Sequence, residues 1–195
     1  MALRRLSTSS IQTNGKSSKL WDQTTFQSGM FALATINLTS AAASVTFSGI
    51  PADYKHLQIR AITRNSSANT SDNWSLMEFN SDTTASNYYM HRIYGSGSTR
   101  AAEASNNPYA FLTLNNNNTA NVFSSTIIDI LDYSNTNKYK TMRNTTVWDA
   151  NGSGYVSFLS GLWKNTSAVS IITIKAGVNN FTQYSSFALY GIKAG

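Results

Sequence analysis

The chain has 195 residues, of which only 12% are charged, and it contains no cysteine. The absence of cysteine excludes disulfide bridges and thiolate metal sites. Asn, Ser and Thr supply most of the polarity, which suits a protein that lies against its own copies or a larger assembly, where unpaired charge would lose its hydration. No stretch approaches the run of about 20 apolar residues that a membrane helix needs, so no membrane insertion is expected.

The first 28 residues carry much of the formal net charge of +6 and contain no apolar run typical of a secretory signal. We expect residues 1–28 to form an extended arm that anchors the protein on a neighbour; a solvated tail is the alternative. The expected anchor consists of four basic and two apolar residues: Arg4, Arg5, Lys16, Lys19, Leu20 and Trp21.

After the arm, short apolar runs alternate with clusters of Gly, Asn, Ser and Asp, which is typical of strands and turns. The predicted strands are residues 31–38, 44–47, 56–65, 75–79, 89–94, 109–114, 123–133, 140–149, 155–163, 169–176 and 186–192. Asn151 and Gly152 predict a tight hairpin turn, because both residues tolerate positive φ.

This number of strands, with no internal repeat and no linker, predicts one all-β domain over residues 29–195. The expected fold is a single antiparallel β-sandwich of the jelly-roll type, and a simpler antiparallel sandwich is the alternative.

Titratable residues do not form a recognisable catalytic or metal-binding pattern. His56 and His91 are the only histidines, and a zinc site needs three or four converging ligands. Asp129 and Asp132 are three residues apart on a predicted strand, so they are expected to face opposite sides rather than to act as an acid/base pair.

Glu78, Asn80 and Asp82 have the oxygen ligands and spacing that Ca²⁺ could use, but no Gly-centred calcium loop follows them, and a polar turn is expected instead. The sequence also lacks the Gly-x-Ser-x-Gly elbow and the phosphate-binding loop. We therefore expect a protein that is not an enzyme and has no catalytic residues, cofactor or metal.

Aromatic residues are abundant, and exposed aromatic rings can bind sugars by stacking. The segments 96–108 and 115–121 are the loops in which a glycan site is considered, whereas burial in the core and in subunit contacts is the competing interpretation. Basic residues beyond the arm do not form a stripe interleaved with aromatics, so no specific nucleic-acid binding is expected.

Several motifs together resemble small structural proteins of tailed bacteriophages, including marine and cyanobacterial phages. The motifs are Gly15–Asp22, Ser44–Pro51, Tyr54–Arg60, Glu78–Asp82 with Asn87–Tyr89, Asp129–Tyr133 with Asn137–Lys140, Gly161–Trp163 and Phe187–Lys193. They extend over nearly the whole chain.

The resemblance implies a virion component with an all-β fold, assembled in the bacterial cytoplasm, and it implies no catalytic residues. A short arm followed by one domain, with no repetitive shaft, favours a decoration or cement subunit. Its expected partners are capsid or tail proteins and its own copies, for example in a homotrimer. The alternative is a tail fibre or head appendage that binds a receptor or glycan on the host surface.

Overall fold

The computed structural model describes residues 29–68 and 73–193, and these residues form an all-β structure. The strands are β1 (Met30–Asn37), β2 (Ser44–Phe47), β3 (His56–Thr63), β4 (Asn73–Phe79), β5 (Tyr88–Ser96), β6 (Thr99–Ser105), β7 (Tyr109–Thr113), β8 (Ser124–Leu131), β9 (Lys140–Asp149), β10 (Gly154–Trp163), β11 (Ile172–Ala176) and β12 (Ser186–Ile192). One short 3-10 helix, Ala85–Asn87, precedes β5.

Eight of the strands have jelly-roll connectivity. β1 pairs with β12, β2 with β11, β3 with β8 and β4 with β7, so the first half of the chain pairs with the second half as one long antiparallel ribbon. The ribbon is rolled up, because β12 also pairs with β3 and β11 also pairs with β4. The predicted jelly-roll β-sandwich is therefore confirmed.

Two hairpins are inserted into this jelly roll and enlarge one of its sheets. The β9–β10 hairpin pairs with β8, and the β5–β6 hairpin then pairs with β10. The result is an eight-stranded sheet in the order β1-β12-β3-β8-β9-β10-β5-β6, packed against a four-stranded sheet in the order β2-β11-β4-β7.

Alternating side chains of both sheets fill the space between them. In β3, for example, Leu57, Ile59 and Ala61 are buried, whereas Arg60 and Ile62 are exposed. This period of two is expected where one face of a strand is covered and the other is free. The main core joins such positions from both sheets, including Phe79, Phe111, Ile128 and Phe187.

The turn between β4 and β5 carries the chain from the small sheet to the large one, and Asp82 organises it. Its carboxylate accepts hydrogen bonds from Trp163 Nε1 and Asn87 Nδ2, both at 2.8 Å, and from the Thr84 amide at 3.0 Å. Burial by itself raises the pKa of Asp82, but these hydrogen bonds lower it below its ordinary value. The expected polar turn thus positions the first residues of β5.

Most predicted strand bounds differ from the observed ones by one or two residues, and one strand was not predicted. The segment Thr99–Ser105 forms the edge strand β6, although no strand was predicted there. The strand predicted over 169–176 begins only at Ile172, and the one predicted over 123–133 covers Ser124–Leu131. The missed strand contains Arg, Glu, Ser and three Ala and is exposed along nearly its whole length, so it has no alternating apolar pattern.

The chain approaches β4 closely at Gly177, directly after β11, and a substitution at this glycine tests the approach. A Cβ added at Gly177 would lie 2.4 Å from the Trp74 carbonyl oxygen, to which the Gly177 amide donates a 2.9 Å hydrogen bond. We predict that Gly177→Ala lowers the free energy of unfolding by about 1–3 kcal/mol, because backbone must move to accept the methyl group.

Gly95→Ala is the matched control, since its added Cβ would meet no atom closer than 3.8 Å. Urea unfolding of the two variants measures the difference. Equal stability of both variants would contradict the described approach of β11 to β4.

Candidate functional site

The inserted hairpins are joined to the small sheet by a series of stacked planar side chains, which we call the ring stack. Its members come from five strands of both sheets: Tyr109, Trp74, Arg92, Tyr94, Tyr155 and Trp148. The ring centres of Trp74 and Tyr109 are 4.6 Å apart, and those of Trp148 and Tyr155 are 4.3 Å apart, with nearly parallel planes.

Arg92 connects the two halves of the ring stack. Its guanidinium carbon lies 4.4 Å from the ring centre of Trp74 and 4.3 Å from that of Tyr94, so it makes cation–π contacts with both. Its nitrogens also donate hydrogen bonds to Glu103 and to the phenol of Tyr155. Arg92 is buried, and these contacts compensate the loss of water around its charge.

The next residue along β5 has the opposite orientation. Ile93 is 60% exposed on the face of the large sheet that is turned away from the small sheet, which we call the outer face. Six of the large apolar side chains on this face are exposed and form what we call the apolar patch: Ile62, Ile93, Ile127, Val147, Val156 and Phe158. A group of neighbouring exposed apolar residues marks an interaction surface, whereas single ones do not.

Strand register makes the apolar patch continuous. Phe158 lies opposite Ile93 on β5 and opposite Thr145 on β9, and Thr145 in turn lies opposite Ile127 on β8. One row of cross-strand neighbours therefore connects β8, β9, β10 and β5 through contacts of the type that side chains make on one face of a sheet.

An open groove of about 890 Å³ lies on the half of the outer face that β8, β9, β10, β5 and β6 form. Ile93, Ile127, Phe158 and Ala102 form its apolar part, and a second depression of about 450 Å³ shares Ile93, Ala102 and Phe158 with it. The surface around Phe158 is consequently indented on two sides.

A row of polar side chains borders the apolar patch. Asp129 accepts hydrogen bonds from Gln58 Nε2 at 2.8 Å and from Arg143 Nε at 2.9 Å, and Arg60 Nε donates to Gln58 at 3.0 Å. His91 continues this row at the far side of the groove, on β5. Asp129 thus takes part in a surface network of paired groups.

The other candidate carboxylate, Asp132, lies in the turn after β8. It forms ion pairs with Lys138 and, at 2.9 Å, with Lys55, and these contacts hold its pKa at about 2. The His56 ring accepts a 3.0 Å hydrogen bond from the Asp132 amide. The structure therefore places Asp129 and Asp132 in two separate networks.

The three residues considered as calcium ligands each have other partners. Glu78 forms a 2.6 Å ion pair with Lys175. The Asn80 side chain bonds the backbone of residues 168–171, and Asp82 bonds the turn described above. Within residues 29–68 and 73–193, no group of three or more His, Asp or Glu side chains is placed to hold a metal ion.

The segment 115–121 is arranged around the buried Arg64. The guanidinium donates hydrogen bonds to the carbonyl oxygens of Val122 at 2.6 Å, Thr119 at 2.8 Å and Asn118 at 2.9 Å. Burial lowers the pKa of Arg64. Sequence reasoning did not identify this residue, because its acceptors lie more than 50 positions away.

A smaller cleft of about 380 Å³ lies at the end of the ring stack. Tyr109 and Trp74 line it together with the amide side chains of Asn73 and Asn107. Part of the segment considered for glycan binding, 96–108, therefore borders a cleft that combines aromatic rings with hydrogen-bonding groups.

The six expected anchor residues, from Arg4 to Trp21, lie outside the described residues. The described part of the chain contains no helix long and apolar enough to cross a lipid bilayer. No protein-family model, curated protein or solved structure matches the chain.

The ring stack yields a prediction at its central residue. We expect Arg92→Met to lower the free energy of unfolding by about 2–3 kcal/mol, because it removes the cation–π contacts and leaves the buried Tyr155 phenol without its donor. Hydrogen exchange should accelerate in β6 and leave the β1–β12 pair unchanged.

Arg143→Met is the matched control, because the Arg143 side chain is 71% exposed in its ion pair with Asp129. Such a pair contributes little, about 0–1 kcal/mol. If both substitutions cost the same, the ring stack does not hold the inserted hairpins.

Proposed function

We propose that the protein is a non-enzymatic structural subunit of a tailed-phage particle, of the decoration or cement type. The observation that carries this proposal is the apolar patch on the outer face, with Phe158 56% exposed at its centre. A surface of this kind is stabilised by burial against another protein.

Two further features support a structural role. Jelly rolls are common in viral capsid proteins, and the motifs described in the sequence analysis suggest a virion protein of a tailed phage. The low content of charged residues also suits a subunit with a large fraction of its surface in contact with neighbours.

In this proposal, residues 1–28 attach the subunit to a capsid or tail protein, and the jelly roll packs against its own copies. Basic side chains of the arm would meet an acidic surface, and Leu20 with Trp21 would supply apolar contact. The protein would be located in the virion, after assembly in the cytoplasm of the host bacterium.

The second candidate function is that of a host-binding appendage. It is favoured by the cleft at Tyr109 and Trp74, where stacking rings and two amide side chains are the kinds of groups that recognise a sugar. Jelly rolls also serve as lectin domains.

Deletion of residues 1–28 tests the attachment. We predict that the remaining domain, with an unchanged circular dichroism spectrum, no longer binds purified particles that lack this protein, and that such particles lose their genome at lower temperature. Particles that are equally robust without the protein but no longer adsorb to host cells would reject the cement function and favour the appendage.

Two sets of substitutions separate the contributions within the arm. Changing Arg4, Arg5, Lys16 and Lys19 to Gln should weaken binding most at low salt, because the attraction of exposed charges is screened by ions. Changing Leu20 and Trp21 to Ala should weaken binding at all salt concentrations. Undiminished binding by both sets of variants would exclude the arm as the anchor.

A further inference from the structure

Most lysines of the domain lie at one end of the large sheet, which we call the lysine end. A row of paired residues marks it: Met30, Ile192, His56, Leu131, Thr141, Leu162 and Tyr89. Five of the six lysines that the structure describes lie beside or directly beyond this row: Lys55, Lys138, Lys140, Lys164 and Lys193. Lys140 is buried and donates hydrogen bonds to backbone carbonyl oxygens, whereas the other four are exposed.

The arm joins the domain at the lysine end. Gly29 comes directly before β1 and accepts a 3.1 Å hydrogen bond from the Lys193 amide. The chain between Trp21 and Gly29 can span no more than about 30 Å. A partner that binds Trp21 therefore also lies within reach of the lysine end.

The arm and the lysine end together carry nearly all of the formal net charge. Residues 1–28 contain four basic residues and Asp22, so their formal charge is +3. The lysine end has its five lysines and the three acidic residues Asp53, Asp82 and Asp132, which leaves +2. The two parts thus account for +5 of the chain's +6, and the rest of the chain is almost neutral.

The exposed lysines are only partly neutralised by their neighbours. Lys164 and Lys193 form no ion pair within the described residues. The carboxylate of Asp132 is shared by the ammonium groups of Lys55 and Lys138, so this group of three keeps one positive charge. The lysine end can therefore attract a negatively charged surface.

The opposite end of the sandwich lacks this charge. Among the described residues, its exposed charged side chains are Arg100 near the β5–β6 turn and Asp149 near the β9–β10 turn, and their signs cancel. Arg64 is buried there, with its guanidinium bonded to backbone carbonyl oxygens. An acidic partner is consequently attracted to one end of the molecule only.

The groups at the lysine end favour an acidic protein surface over nucleic acid as the partner. Asp53 and Asp132 lie among the lysines and would repel a phosphate backbone, whereas a protein surface can present basic groups to them. The described part of the lysine end also has no arginine, although the planar guanidinium is the group best suited to hold phosphate through two hydrogen bonds.

We propose that the lysine end is a docking surface, which meets an acidic surface of a capsid or tail protein beside the site of the arm. The proposal rests on the structural role proposed above and specifies the orientation of the subunit. The lysine end faces the particle, and the turns at Gly97 and Gly152 point away from it. Its contacts add to those of the arm, because both belong to one chain and bind together.

Two triple variants of the full-length protein test the docking surface. One changes Lys138, Lys164 and Lys193 to Gln, and the control changes Arg60, Arg100 and Arg143 to Gln. Each variant loses three positive charges, so the two have the same net charge.

Binding to purified particles that lack this protein is measured for both variants, and circular dichroism checks their fold. We expect the lysine variant to bind about tenfold more weakly at low salt, with a smaller difference at high salt, where ions screen exposed charges. The arginine variant should bind nearly as well as the wild type. Equal loss in both variants, or undiminished binding of the lysine variant, overturns the proposal.

Carbodiimide crosslinking tests the partner's chemistry without a substitution, because it joins a lysine amine directly to a nearby carboxylate. On particles, Lys164 and Lys193 should become linked to Asp or Glu side chains of a particle protein. Lys175 is the control, since it lies on the small sheet and pairs with Glu78 of its own chain. Particle links from Lys175 as frequent as those from Lys164 overturn the proposal, as does lysine-dependent binding to duplex DNA without any particle links.

Polyglutamate as a second probe separates this proposal from the proposed function. If the protein binds no particle, but the lysine variant loses binding to polyglutamate and the arginine variant keeps it, the virion role fails and the acid-binding end stands. If both triple variants bind particles like the wild type, the virion role stands and the lysine end is not the docking surface.

Discussion

The contact of Arg92 with the rings of Trp74 and Tyr94 is the interaction on which the arrangement of the large sheet depends. A jelly roll needs only four strands in each sheet, and here two hairpins extend one sheet to eight. Arg92 ties β5 to β4 of the small sheet, while its hydrogen bonds to Glu103 and Tyr155 reach β6 and β10. A single buried charge therefore links both inserted hairpins to the small sheet, in addition to the strand pairing that joins them to β8.

The same constraint creates the surface that we consider functional. Side chains alternate along a strand, so the contacts that turn Arg92 inward also turn Ile93 outward, beside Phe158. Without the inserted hairpins the outer face would lose Ile93, Val147, Val156 and Phe158, all of which lie on β5, β9 and β10. The enlarged sheet thus carries an exposed apolar surface, and the small sheet keeps a polar one.

The sequence predicts the fold class and most strands, because alternation and turn residues are local signals, as in β3 and at Asn151–Gly152. It does not predict β6, because the small and charged residues of this strand are typical of a loop.

The candidate site could be predicted only in part. β10 has apolar residues in both alternating sets, Tyr155 with Leu159 and Val156 with Phe158, as expected for a strand covered on both faces. The ring stack was not predictable, since Trp74, Arg92 and Tyr155 meet only through long-range pairing.

The central claim is that the outer face is covered when the protein assembles. Hydroxyl-radical footprinting of the isolated protein at high dilution and of assembled particles measures this at individual side chains. We predict that Phe158 is strongly protected from oxidation in assembled particles. In the isolated, dilute protein, where Phe158 is 56% exposed, we expect it to be oxidised readily. Oxidation of Tyr184, which is 74% exposed, measures the dose of hydroxyl radicals in the dilute protein. Oxidation of Phe158 to the same extent in both states would contradict the account.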